Sequence, residues 1–201
     1  MSNISRDIDL LYELGAIRHI DRMWKRFLNA DFANNTEHLF RVAWIALVIA
    51  KHEGVTNTDK ILKMAIAHDI AESRTGDVDY LSRQYVERKE TLAIDDILED
   101  TILEEEFKAL LHEYELRESI ESRIVKDADN LDVDMELREQ ADRGHALPSR
   151  PEWVAMRKHV RDTKLYTKTA KKMSEAITES DPHGWHVNSQ RNRLKGGDWK
   201  K

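Results

Sequence analysis

An imidazole and a carboxylate stand side by side at His68-Asp69, in the middle of the apolar helical pattern TDKILKMAIAHDIAESRTGD over residues 58–77. With a 3.6-residue period, Ile61, Ala65, His68 and Glu72 share one stripe, and Leu62, Ile66 and Asp69 form the row beside it. Core-facing positions are thus apolar for two turns and polar for the next. Burying an ionised carboxylate beside an imidazole is costly unless something compensates. A cation does so, because an adjacent His and Asp offer it one nitrogen and one oxygen. A buried His–Asp hydrogen bond, or a helix end reaching solvent, would satisfy the dipeptide equally, so other residues must decide.

Two other segments supply candidates. A helix starting near Asn35-Thr36 and ending before Gly54 has the body EHLFRVAWIALVIA, apolar almost all round and therefore expected to be buried. His38 shares its inward stripe with Val42, Ile45 and Ile49. A later helix over about 117–142 carries Ile120, Ile124, Ala128, Leu131 and Met135 on one stripe, with Val125, Asp129, Asp132 and Glu136 beside it. Its string KDADNLDVD crowds four aspartates into eight residues, so at least one should face a cation. Near the N-terminus, Arg18, His19, Arg22, Trp24, Lys25, Arg26 and Phe27 could bind phosphate and stack a base, or form a solvated turn.

The elements that must position these residues read as helices. The chain has 201 residues, three prolines, seven glycines and long stretches of helix formers, which predicts an all-α fold as one domain over residues 1–180. Other helices are expected over 4–16, with Ile4, Ile8, Leu11 and Gly15 on one face, and over 80–98 and 102–115. The last two centre on Tyr85, Leu92, Ile94 and Ile97, and on Phe107, Leu110 and Leu111. Glu104–Glu106 reads as a solvated face. Ser149-Arg150-Pro151-Glu152 is a capping-box pattern opening a last long helix to about 179. Beyond Asp181-Pro182 the period is lost, and 181–201 reads as a polar, mobile tail on which Trp185 could dock.

Composition excludes several chemistries. With no cysteine there is no disulfide, thiolate catalysis or Cys-ligated metal. A net charge of −6 argues against binding a nucleic-acid polymer. No signal-peptide core opens the chain, and the apolar run Val42–Ala50 is too short to span a bilayer, so a soluble, cytoplasmic protein is expected. No HExxH, Gly-rich phosphate loop or GxSxG occurs. No histidine lies between His68 and His112, so one metal is expected and not two.

The order H…HD…D, formed by His38, His68-Asp69 and a late aspartate, resembles the HD-domain phosphohydrolase superfamily. Thr36-Glu37-His38, His68-Asp69, Glu72, Thr75-Gly76-Asp77 and Val125-Lys126-x-Ala128-Asp129 resemble its bacterial 5′-nucleotidases, over roughly residues 10–140. The resemblance implies a helical bundle with His38, His68, Asp69 and Asp129 as metal ligands, Asp132 being the alternate fourth. It implies Glu72 and Asp77 as the acidic residues at the scissile phosphate. Arg22 meets the phosphate, Arg18 being able to exchange roles with it, and Trp24 and Lys126 complete the substrate contacts. The cofactor implied is one divalent transition metal (Co²⁺, Mn²⁺ or similar, with Mg²⁺ also compatible). The substrate would be a nucleoside 5′-phosphate (mono-, di- or tri-), a deoxynucleotide or an analogue such as an oxetanocin A phosphate from antibiotic biosynthesis. Alternatives are a triphosphohydrolase or alarmone hydrolase of the same superfamily, or a metal-stabilised binding module without catalysis. The partner expected is a nucleotide, with homodimers common in the family.

Overall fold

Asn34 opens the central helix α2 (Asn35–Glu53) by a reciprocal cap. Its side chain accepts from the Glu37 amide, and the Glu37 carboxylate accepts from the Asn34 amide. Gly54, at φ +72°, closes it in the left-handed region. The expected caps, Asn35 and Thr36, lie inside the helix, which frees the buried Asn35 side chain for a contact described below. Nor is α2 buried all round: Phe40, Trp44 and Val48 are exposed along one stripe.

The computed structural model describes residues 4–29 and 31–189. Among them it is helical, with an isolated β-bridge between Asp21 and Asn34 and no strand. Around α2 run α1 (Ile4–Ala16), α3 (Thr58–Ala67), α4 (Glu72–Thr75), α5 (Glu90–Leu98), α6 (Glu104–Leu116) and α7 (Ile120–Asp142). After them come α8 (Pro151–Thr163), α9 (Lys168–Glu179) and the single turn α10 (Gly184–Val187). No helix of the described residues is long and apolar enough to cross a membrane. The all-α bundle is the expected architecture, with α2 lying against both α7 and α3.

Three apolar clusters hold it together. The largest joins Val42, Ala46 and Ile49 of α2, Ile61 and Met64 of α3, and Ile124, Val125, Ala128 and Leu131 of α7. A second gathers Leu10, Leu39, Ile70, Ile97 and Leu111. A third is small, with Leu28, Phe32, Val133 and Leu137 backed by Trp24 and Trp153. Burial of this kind supplies most of the stabilisation of such a bundle.

Several expected elements differ. The helix over 58–77 stops at Ala67. His68 Nδ1 donates to the Ala65 carbonyl at 2.8 Å, and bonds such as Ile70 N to Ala67 O and Glu72 N to Asp69 O tighten the chain to three-residue turns. His68-Asp69 therefore lies at a helix end. The helix expected over 80–98 is a short turn at Ser82–Gln84 followed by α5, leaving Tyr85 and Leu92 exposed. On α1 the buried residue is Leu10, and Ile4, Ile8 and Leu11 are exposed. On α7, Ile120 is exposed while Ile124, Ala128 and Leu131 are buried.

The last long helix is two. Thr167 caps α9 by accepting from Ala170 N, and buried Asp127 of α7 accepts from the Tyr166 and Thr167 amides and the Thr167 hydroxyl, which fixes the break. Arg150, not Ser149, caps α8, without a side-chain bond, and α8 has no buried residue. Trp185 is exposed and not docked. The rest of the expected tail, 190–201, lies outside the described residues.

Candidate active site

His38, in the first turn of α2, points its Nε2 at two carboxylates. It is 3.3 Å from Asp129 Oδ1 and 3.5 Å from Asp69 Oδ2. His68 Nε2 is 3.3 Å from the same Asp69 oxygen. Donor atoms of His38, His68 and Asp69 all lie within 4.8 Å of one another. The opposite ring nitrogens are already engaged. His68 Nδ1 donates to Ala65 O, and His38 Nδ1 is 2.6 Å from Asp132 Oδ2. Both Nε2 atoms are buried and have no hydrogen-bond partner. Two partnerless imidazole nitrogens converging with Asp69 form a donor set suited to a divalent cation, and Asp129 adjoins that set at His38 Nε2.

The electrostatics call for the same positive charge. Burial and Arg22 both oppose protonation of His38, yet its contacts with Asp129, Asp132 and Asp69 push it up to about 10. Burial would raise Asp69, but His68 and His38 hold it well below the usual carboxylate range. Against the same cost, Lys126 and His38 hold Asp129 down as well. The site gathers buried carboxylate charge of the kind a divalent cation would balance.

Asp132 is fully buried behind His38, gripped by the Arg41 Nε, and Arg41 Nη1 also bonds Glu139 at 2.8 Å. It therefore meets the far side of the imidazole, while Asp129 meets the near side.

The cluster forms part of the wall of a cavity of about 420 Å³. Arg22 is buried there with a guanidinium nitrogen 3.6 Å from Asp69. Glu72 is buried, Asp77 Oδ2 accepts from the Met23 amide at 2.7 Å, and Lys126 Nζ is 2.7 Å from Asp129. Trp24 packs at a tilt against Tyr80 and edge-on to Trp153, at centroid distances of 5.9 and 5.5 Å. Arg18 is not brought in: it is exposed, its Nε 3.2 Å from His19 Nε2.

The sequence model of the HD domain matches residues 14–179. The chain belongs to the HD-domain family. A relative from Danio rerio named 5′-deoxynucleotidase HDDC2 is 33% identical over 109 residues, 52% of this chain and 54% of that protein. The chain thus spans about half the length of that relative. The human protein of the same name is 26% identical over 144 residues, 69% of this chain and 70% of the relative. A solved structure from Magnetospirillum magnetotacticum, described as a predicted metal-dependent phosphohydrolase, has a TM-score of 0.69 at 20% identity. It covers 89% of this chain and 95% of that one, a likeness of fold.

This HD domain also uses residues that sequence reasoning missed. Asn35 Nδ2 donates to Glu72 Oε2 at 2.5 Å, and Arg88 Nη1 donates to Glu72 Oε1 at 2.8 Å. Burial first, then Asp69 and Asp77, nevertheless push Glu72 up to about 7. Tyr114 packs edge-on to His68 at 5.4 Å. Arg41 was detectable as the residue one turn past His38; Arg88 was not, since it follows a loop expected to be helix.

Proposed function

We propose that this HD-domain protein is a metal-dependent phosphoric monoester hydrolase that removes phosphate from 5′-deoxynucleotides. The observation that carries the reading is the pair of buried, partnerless Nε2 atoms converging with Asp69 and Asp129 beside a cavity lined with arginines and aromatic rings. The names of the relatives support the reaction class and the sugar. None of those described is named for oxetanocin chemistry, so the proposal stays with deoxynucleotides.

In this reading His38, His68, Asp69 and Asp129 hold the cation, which supplies Lewis acidity to a phosphoryl oxygen and acidifies water. Arg22 complements the non-bridging oxygens through its planar fork. Glu72, both oxygens held by donors, is kept as an acceptor able to orient water and take its proton. Asp77 keeps one oxygen on the Met23 amide and has the other for the leaving ribose oxygen. Trp24 and Tyr80 offer faces to the base. A module without catalysis would need neither Glu72 nor Asp77 in the cavity.

The test is metal analysis together with phosphate release from 5′- and 3′-deoxynucleotides and ribonucleotides, with Co²⁺, Mn²⁺, Mg²⁺ and Zn²⁺. About one ion per chain and metal-dependent release from 5′-deoxynucleotides are expected. Metal-loaded protein that releases phosphate from no 5′-nucleotide would refute the reading.

A further inference from the structure

One face of α7 gives the cavity a direction. Lys126, Asp129, Asn130 and Val133 line it in order along the helix, spanning two turns or about 10 Å. At the far end Val133 joins the cluster that contains Trp24 and Trp153. Asp129, beside His38, stands in the middle. At the near end stand Lys126 and Arg117.

Arg117 is unusual in both its backbone and its side chain. It ends α6 at φ +54°, a left-handed conformation that favours glycine or asparagine. Its carbonyl is held there by Arg123 Nε at 2.8 Å. Its guanidinium carbon lies over the Tyr114 ring, 3.4 Å from the centroid, and Tyr114 in turn packs on His68. One arm reaches exposed Glu115 at 3.6 Å, while Nη1 is buried with no partner. An arginine donor without an acceptor, in a cavity built for phosphate, calls for an anion.

We propose that Arg117 and Lys126 form a subsite for a phosphate beyond the one at the ligand cluster, so that nucleoside 5′-di- and triphosphates are held along α7. This rests on the nucleotide reading of the site. A base against Trp24 and a 5′-phosphate beside Asp129 leave the next phosphate at Arg117 and Lys126. The aromatic end is distinguished from the cationic end by its side chains alone.

Calorimetric titration of the metal-loaded full chain with phosphate and with pyrophosphate tests the subsite, alongside competition by dAMP, dADP and dATP. Arg117→Gln should weaken pyrophosphate, dADP and dATP about tenfold, as loss of one charge-assisted contact does, while leaving phosphate and dAMP within about twofold. Arg117→Gly, which suits φ +54°, should show the same selectivity with no loss of melting temperature. Equal losses for phosphate and pyrophosphate, or no loss for either, would overturn the subsite. Wild type that binds pyrophosphate selectively through Arg117 yet hydrolyses no 5′-nucleotide would uphold the subsite and overturn the nucleotidase reading instead.

Discussion

Two aspartates one turn apart on α7 meet opposite nitrogens of the same imidazole, Asp129 at His38 Nε2 and Asp132 at Nδ1. Sequence periodicity could not separate them, because both follow the buried stripe. In the proposed reading the direction of the His38 ring assigns the ligand role to Asp129, which meets the same nitrogen as Asp69. Asp129→Asn should therefore empty the metal site, whereas Asp132→Asn should leave it loaded but about 10- to 100-fold weaker in affinity, as loss of an outer carboxylate typically does. Metal titration of the two variants in parallel checks this, and the reverse order would make Asp132 the ligand. Glu72 carries a pH prediction. It must be ionised to take a proton, so kcat/KM should fall as pH drops through its pKa. Without metal it stands at about 7, and a cation in the cluster opposes the Asp69 contribution, so the loaded protein's acid limb lies lower. Arg88 stabilises the carboxylate, so Arg88→Gln should move that limb to higher pH. An unmoved limb, or one moved down, would remove Glu72 from the proton transfer.

Helix ends account for most of what the sequence did not disclose. Helical stripes single out His38, His68-Asp69 and the Asp129/Asp132 pair as candidates, whereas choosing His38, His68, Asp69 and Asp129 as the ligand set takes the family resemblance. The stop at Ala67 was not legible, since no glycine or proline marks it and the His68 side chain itself helps to end the helix. Arg88 and Arg117 stand at a loop and a left-handed cap, whose geometry no periodicity encodes. The α8–α9 break hid in a charged run, with Thr167 as its unread cap. Among these elements α8 is weakly anchored. It has no buried residue, yet it carries Trp153 of the aromatic wall, and Arg157 ties it to α7 through Asp134 and the Asn130 carbonyl at 2.5 and 2.9 Å. Hydrogen exchange should find α8 amides opening well before those of α7, and Arg157→Ala should speed α8 alone. Equal protection of the two helices would show that α8 is part of the rigid frame.

Across the whole molecule the donors come from distant stretches of chain, and His38 and Asp132 are separated by 94 positions. The net charge of −6 describes only the average surface, since the cavity gathers Arg22, Arg88, Arg117, Lys126 and Arg157 on its wall. Packing alone brings those stretches together, and in doing so it crowds carboxylates whose mutual repulsion the apolar clusters must overcome. In landscape terms, the partnerless nitrogens of His38 and His68 mark a patch of local frustration at the centre of an otherwise consistent fold. A cation converts that patch from the weakest point into a fastener, each tenfold excess over its dissociation constant adding about 1.4 kcal/mol to the folded state. The ion that equips the site for chemistry would thus also decide how long the bundle survives around it.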